Sequence, residues 1–265
     1  MKAELKEMTL TRIYRQSNRL DGLILSRIRT GSQTDKDLEE LNKRVQPQAP
    51  QGAVVLTPYR AIEAEFNNRG LDQCFGESFT FACTRTGTYK KKAPAGINTT
   101  LVLKMGCKVV IKANCPKGMY VNGDSGIFKG LDSRDRLIVL LDRTQEYVYV
   151  KQKKYEKVKH EVKKGLHEET GEETEEIVIK TTGKFTQYPI KLGYASTIHS
   201  AQGATMQRVH LHLDRRRPFA NGLLYVALSR VTDLRNLTIS RPLEHDDNLV
   251  KENLWTKDEQ GELNV

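Results

Sequence analysis

The sequence lacks the features of secreted, metal-binding and membrane-spanning proteins. Its four cysteines, Cys74, Cys83, Cys107 and Cys115, form no CxxC pair, and nearby histidines complete no zinc ligand set. We therefore expect reduced thiols and no metal site. The amino-terminal MKAELKEMTL has no apolar signal core, and no apolar run reaches the ~20 residues that cross a bilayer. These absences predict a cytosolic protein without a membrane partner.

Acidic residues are absent from the stretch between Arg85 and Lys117, which holds eight basic residues, Lys90, Lys91 and Lys92 among them. The whole chain carries a formal net charge of +10. A basic stripe of this kind neutralises phosphates and releases counterions, so the charge indicates a polyanionic partner. Composition alone agrees equally well with a merely soluble basic face.

Strand and helix patterns alternate at both ends of the chain. GAVVLTPY (52–59) is an apolar run typical of a buried parallel strand, and RAIEAEFNNRGL then predicts a helix closed by Gly70. Later, RVHLHLD (208–214) and NLTIS (236–240) predict strands on either side of a helix at 219–231. This alternation predicts an α/β layer fold with a parallel sheet.

The middle of the chain predicts a β-rich module. LVLKMGCKVVIKANC, RLIVLLD, EYVYVKQKKY and EEIVIKTT are strand-like segments separated by turns such as Asn122-Gly123. Residues 151–176 join a basic block to an acidic block, which favours a solvated charge run on a long exposed hairpin or a mobile insertion. We therefore predict a helical segment at 1–48, with a break at Gly31 and a new helix start at Thr34, an α/β domain at 49–84 and 185–245, an inserted β-module at 85–184, and a tail at 246–265.

Three segments concentrate residues suited to phosphate and nucleic-acid chemistry. LTRIYRQS (10–17) places Gln16 after Arg15, GYASTIHSAQGAT (193–205) crowds hydrogen-bonding side chains around Gly203, and YVALSR (225–230) ends a predicted helix in Arg230. An arginine at the end of a packed helix can stabilise the charge of a transferring phosphoryl group. Taken alone, Arg230 is better explained as a surface cation favoured by the helix dipole. When the other two segments are considered with it, the phosphate role becomes the better explanation of Arg230.

In this order the three segments resemble the fourth, fifth and sixth motifs of superfamily 1 DNA helicases, in the RecD-like and PIF-type branch. VLTPYRAIEAEFN resembles the strand and helix that open the second RecA-like domain of that family, and LVLKMGCKVVIKAN with YVNGDSGIFKGL resembles the start of its SH3-like insertion. The likeness runs from about residue 8 to residue 240. It implies a C-terminal motor domain with a RecA-like, P-loop-NTPase-type parallel sheet, lacking its own phosphate loop, and an inserted small β-barrel of SH3-like type.

The resemblance also implies roles for the matching residues. Arg15 and Arg230 would reach the γ-phosphate of ATP from opposite sides of an inter-domain cleft. The residues implied at the nucleotide are Tyr14, Gln16, Gln202 and Gly203. The residues implied at single-stranded DNA are Thr57, Tyr59, Thr197 and His199, to which the basic stripe adds Lys90, Lys91 and Lys92. For His199 the alternative is a core histidine with satisfied ring nitrogens, and Tyr59 is equally well explained by packing.

The sequence contains neither the phosphate loop GxxxxGK[ST] nor the D-E metal motif of a complete motor. GMYVNGDS (118–125) approaches the first, but Asp124 stands where lysine is required. LIVLLDR (137–143) ends in Asp142, which an arginine follows. We predict that both are structural, and that the Mg²⁺ of the ATP site belongs to the absent first domain. The chain alone should then bind ATP weakly and hydrolyse none.

Several alternatives stay open at this point. The chain is an excised C-terminal fragment, half of a split helicase whose partner domain or chain carries the phosphate loop, or a remnant retained for DNA binding; Met1 just before the fourth motif agrees with all three. The alternative function is a non-catalytic nucleic-acid-binding or interaction module derived from such a motor. A motor half of a conjugative relaxase or viral replication helicase ranks lower. The resemblance implies a cytoplasmic setting, at the nucleoid or at sites of replication.

Overall fold

The computed structural model describes residues 16, 18–94, 96–166, 173–214 and 220–250, with the backbone alone described at 163–166 and 173–177. Its helices are α1 Arg19–Thr30, α2 Asp35–Asn42, α3 Arg60–Asp72 and α4 Leu223–Leu228. Its strands are β1 Val54–Thr57, β2 Ser78–Ala82, β3 Thr84–Gly87, β4 Thr100–Lys104, β5 Lys108–Ile111, β6 Ser125–Leu131, β7 Leu137–Leu141, β8 Tyr147–Val150, β9 Lys153–Leu166, β10 Glu173–Gln187, β11 Ile190–Leu192, β12 Ala195–Thr197, β13 Val209–Leu211 and β14 Leu237–Ile239. Two compact units result: unit 1 is Met1–Ala64 with Ala195–Val265, and unit 2 is Glu65–Tyr194.

Unit 1 contains a parallel four-stranded sheet in the order β12-β1-β13-β14. Every residue of β1 is buried, which explains its continuous apolar sequence. Helix α1 packs Ile24, Leu25 and Ile28 into a core shared with the sheet and with α4. The parallel α/β prediction therefore agrees with the structure of this unit.

The ends of α1 and α2 follow directly from local sequence. Asn18 accepts a hydrogen bond from the Leu20 amide at the start of α1, and Gly31 ends that helix in the left-handed conformation, with φ of 73°. Thr34 then starts α2 with a capping box to Asp37. The predicted break at Gly31 and the predicted start at Thr34 are both confirmed.

Unit 2 is built from antiparallel β-structure. A five-stranded sheet has the order β11-β5-β6-β7-β8, beside a β2-β4 pair and a three-stranded sheet in the order β3-β10-β9. Phe128 and Tyr188 are among its largest fully buried side chains. Strands β9 and β10 form a long hairpin, in agreement with the hairpin interpretation, and β10 continues past the predicted limit to Gln187.

The border between the units differs from the predicted one. We expected the β-module to span 85–184, whereas unit 2 begins at Glu65 and ends at Tyr194. The physical reason is that β2 pairs with β4, and Leu71 packs on the core of unit 2 together with Phe79 and Phe81. Strand pairing and apolar burial therefore assign the end of α3 to the β-rich unit.

Two predicted helix limits are wrong. Gly70 does not close α3, because the helix runs on to Asp72 and Gly70 is buried within it. Helix α4 covers only Leu223–Leu228, within the predicted 219–231. Arg230 therefore lies in the turn after the helix rather than at its end.

Candidate functional site

The carboxyl ends of β1 and β12 bring two predicted site residues together. Thr57 and Thr197 are register partners in adjacent parallel strands, and both are buried. The Thr57 hydroxyl accepts from the Tyr59 amide at 3.3 Å, and the Thr197 hydroxyl donates to the Ser200 hydroxyl at 2.8 Å. Both threonines thus hold the loops that follow their strands. Tyr59 is half-buried.

The loop 198–206 begins at this edge and folds back through tight backbone turns. The amide of Ala201 donates to the carbonyl of Thr197, and the amide of Gln202 donates to that of His199. Ala201 is buried, whereas His199 and Gln202 are exposed. The core-histidine alternative for His199 is therefore wrong. The polar side chains of the loop face outward, where a ligand can meet them.

Gly203 has a backbone reason to be glycine. Its φ is +87°, in the left-handed region that side chains disfavour, and no atom lies within 4 Å of the position a Cβ would take. Neighbouring atoms would therefore leave room for a side chain at this position, and the backbone conformation alone favours glycine. The exposed backbone stays open to a ligand.

Arg230 is 5% exposed, which contradicts the interpretation of a surface cation at a helix end. Its Nε donates to the Val226 carbonyl at 2.7 Å, and one terminal nitrogen donates to the carbonyls of Ala201 and Ala204 at 3.3 and 3.1 Å. The other terminal nitrogen donates to the Ser229 hydroxyl at 2.8 Å. A buried guanidinium has to satisfy its donors within the protein. Arg230 therefore ties the end of α4 to the loop 198–206.

Gln16 lies near the same point, since its Nε2 is 3.4 Å from the carbonyl oxygen of Val231. Tyr14 and Arg15 lie outside the described residues. The structure thus brings Gln16, the loop 198–206, Arg230 and the two threonines together in unit 1. Lys90, Lys91 and Lys92 belong to unit 2, where they are exposed at the end of the one-turn 3-10 helix Thr88–Lys90.

Sequence reasoning missed the two serines of this site, Ser200 and Ser229, which hydrogen-bond Thr197 and Arg230. Ser229 directly precedes Arg230 in the sequence, and this adjacency is the one signal that could have pointed to it. Ser200 lies three residues after Thr197, the spacing of a local side-chain turn.

His210, in β13, is a buried histidine, unlike the exposed His199. His210 is buried, and its Nδ1 lies 2.9 Å from the Thr238 hydroxyl. Burial, with a smaller effect of nearby His212, lowers the pKa of His210 to about 4. The imidazole is therefore neutral at physiological pH and belongs to the core of the sheet.

The two segments that resemble nucleotide motifs have structural partners. Asp124 accepts from the Val121 amide at 3.0 Å and pairs with Arg143 at 3.2 Å. Asp142 accepts from the Ser125 hydroxyl at 2.6 Å. Over the described part of the chain, no group of three His, Cys, Asp or Glu could hold a metal ion, and no helix is long and apolar enough to cross a membrane.

A parallel sheet with polar loops at the carboxyl ends of its strands defines an α/β domain of the class that binds ligands at that edge. Residues 137–237 match a family described as the viral superfamily 1 RNA helicase core domain. The ATP-dependent DNA helicase Pif1 of Bdellovibrio bacteriovorus is 30% identical over 221 residues, which cover 81% of this chain and 45% of that relative.

Solved Pif1 structures share the fold. The unliganded Pif1 from Bacteroides sp. matches with a TM-score of 0.73 at 22% identity, over 91% of this chain and 53% of that one. Bacteroides Pif1 in complex with ADP-AlF3 and ssDNA matches with a TM-score of 0.65 at 24% identity, over the same shares of 91% and 53%. This chain spans about half the length of the relatives it matches. The chain is therefore similar in sequence to superfamily 1 helicases, Pif1 among them, and it shares the α/β fold of the solved Pif1 structures.

Proposed function

We propose that this chain is the C-terminal motor portion of an ATP-dependent DNA helicase, with 5′-to-3′ polarity taken from the resemblance alone. In this proposal unit 1 binds single-stranded DNA and supplies Arg15 and Arg230 to an ATP site. A separate domain or chain with a phosphate loop completes that site and holds the Mg²⁺. Unit 2, with its five-stranded antiparallel sheet, corresponds to the SH3-like insertion.

One observation carries this proposal: the guanidinium of Arg230 is bonded to the carbonyls of Ala201 and Ala204, on either side of Gln202 and Gly203. The same loop starts at Thr197 and exposes His199. A ligand that moves the loop therefore also changes the contacts of Arg230. In this conformation the guanidinium faces the protein's own carbonyls, so these bonds have to break before Arg230 can reach a γ-phosphate.

The loop 198–206 suggests which residues would contact DNA and which would contact the nucleotide. His199 and Tyr59 would face the DNA strand, whereas Gln16, Gln202 and Gly203, with Tyr14, would face the nucleotide. Thr57 and Thr197 are buried, so they would act on DNA by holding the two loops in place and not by direct contact. The Bacteroides Pif1 structure with ADP-AlF3 and ssDNA supports the pairing of these two ligands. Lys90, Lys91 and Lys92 would contact DNA phosphates from unit 2. A protein with these ligands works wherever DNA is copied or repaired, in a nucleoid or replication setting.

Replacing His199 with alanine should weaken binding of a single-stranded oligonucleotide about tenfold, because stacking of an aromatic ring on a base contributes about 1–3 kcal/mol. The side chain is exposed, so stability should not change. Fluorescence anisotropy with labelled oligo-dT measures the affinity. The matched control is His245→Ala, an exposed histidine of the same unit that pairs with Asp35 at 2.8 Å. Equal affinities of the two variants would remove His199 from the DNA site.

ATP hydrolysis by the purified chain, with and without single-stranded DNA, tests the proposal that a separate domain or chain must complete the ATP site. We expect no turnover in either condition, because the sequence supplies no phosphate loop. DNA-stimulated turnover that Arg230→Ala abolishes would contradict the incomplete-motor proposal. Absence of DNA binding as well as of turnover would leave the non-catalytic interaction module as the better explanation.

A further inference from the structure

The hairpin of β9 and β10 is a β-ribbon with little cover. Its strands are 14 and 15 residues long, and β3 pairs with β10 only between Thr84 and Gly87. Beyond that base, the described ribbon is two-stranded. Its side chains alternate between two faces, so the register decides which charges lie together.

One face of the ribbon gathers positive charge. Lys157 and Lys159 lie two residues apart on β9 and share a face, and Lys180 on β10 is the register partner of Lys159. All three are exposed. Like charges directly opposite each other destabilise an antiparallel pair. A bound polyanion would remove that repulsion.

These lysines are weakly compensated. Lys159 lies 3.4 Å from Glu161, the one acid on this face among the described side chains. Lys157 and Lys180 have no carboxylate partner within the described part of the chain. The face therefore keeps a net positive charge that solvent ions balance.

The basic stripe meets this face at its base. Lys92 and Lys157 line one cleft of about 400 Å³, together with Tyr89 and Glu156. The Glu156 carboxylate is held by Lys154 at 3.0 Å. The register joins Lys157, Lys159 and Lys180 into one surface, which we call the ribbon lysine face, and the cleft places Lys92 beside Lys157 at its edge.

The aromatic rings near the ribbon lysine face pack against one another and do not point into solvent. Phe185 is fully buried, and the half-buried rings of Tyr89 and Tyr155 pack on it with centroids 5.8 and 6.2 Å away. Surfaces that bind single strands without sequence preference offer free rings for base stacking. The ribbon lysine face offers charge instead. Charge without stacking matches a duplex, whose bases are stacked inside and whose phosphates lie outside.

We propose that the ribbon lysine face binds the phosphate backbone of duplex nucleic acid, as a second contact beyond the single-stranded DNA site of unit 1. A two-stranded β-ribbon also has dimensions that DNA grooves accommodate. The interaction is independent of sequence and sensitive to salt.

The test is binding of a blunt, fully paired DNA hairpin by the triple variant Lys157→Gln, Lys159→Gln, Lys180→Gln, measured by anisotropy over a series of salt concentrations. Each lost phosphate contact lowers the slope of log K against log salt by about 0.9, so we expect a loss of about three. Binding of oligo-dT should keep its slope. The matched control is Lys36→Gln, Lys43→Gln, Lys129→Gln, which removes three exposed lysines outside the basic stripe and the ribbon.

Equal losses in the two triple variants would overturn the proposal, because the effect would then come from total charge. A loss confined to oligo-dT would reassign the face to single strands and overturn the duplex assignment. Failure of the unsubstituted chain to bind the hairpin would also overturn it. Failure to bind oligo-dT alone counts against the proposed function of unit 1 and leaves the duplex result standing.

Discussion

Replacing Arg230 with alanine should lower the free energy of unfolding by about 3 kcal/mol, because a buried group that loses its hydrogen-bond partner costs about 1–3 kcal/mol. The change leaves the carbonyls of Ala201 and Ala204 without this donor and opens space beside the Ser229 hydroxyl. Urea-induced unfolding followed by circular dichroism measures the loss.

Arg235→Ala is the matched control, since it removes the same charge from a side chain that is 85% exposed and bonded to Asp233. Surface ion pairs contribute about 0–1 kcal/mol, so this variant should stay close to the unsubstituted chain. Arg230→Lys should fall between the two, because an ammonium keeps the charge but not the planar set of donors. Similar stabilities for Arg230→Ala and Arg235→Ala would show that the guanidinium does not hold the loop.

Hydrogen exchange distinguishes local loosening of the loop 198–206 from a loss of stability of the whole unit. In native conditions the amides of Ala201 and Ala204 should lose protection in Arg230→Ala before the amides of β1 and β13 do. From the motif resemblance alone, Arg230→Ala would abolish turnover in an enzyme completed by the phosphate-loop domain and would leave DNA binding nearly intact. The contacts to the loop change that expectation: DNA affinity should also fall, since the same loop presents His199.

The second large effect is expected from Gly70→Ala in α3. A Cβ at Gly70 would stand 2.4 Å from Cγ of Tyr194 and 2.6 Å from both neighbouring ring carbons. The ring has little freedom to move, because its hydroxyl lies 3.1 Å from the Cys74 sulfur and accepts the Lys108 amide at 3.1 Å. We expect a loss of about 3 kcal/mol, at the upper end of the usual cost of overpacking.

Gly22→Ala is the control for Gly70→Ala, because it makes the same change inside α1, where no atom lies within 4 Å of the new methyl group. Alanine exceeds glycine in helix propensity by about 0.8–1 kcal/mol, so this variant should gain stability. The two substitutions should therefore shift the urea midpoint in opposite directions. A gain at both positions would mean that the ring of Tyr194 yields to the new methyl group.

Local sequence determined the parts of this protein whose partners lie a few residues apart. Gly31 and Thr34 end and begin helices through bonds within their own turns, so pattern alone located them. The apolar run of β1 predicted a buried parallel strand because a covered strand excludes polar residues on both faces. The three ordered segments were enough to predict a resemblance to superfamily 1 helicases, and the comparisons find sequence similarity to that family and to Pif1.

Only the tertiary structure decided the features that depend on distant contacts. The sequence predicted that Gly70 ends a helix. The structure shows instead that a side chain at this position would collide with the ring of Tyr194, more than a hundred positions away in the sequence. Taken apart from the other two segments, Arg230 would be a surface cation, whereas the structure buries it against the loop 198–206. Residues 151–176 were predicted to be a solvated charge run, and only the register of the ribbon showed that Lys159 of this run lies opposite Lys180. Caps and periodicity depend on neighbours along the chain, whereas burial and charge clustering depend on which segments pair in space.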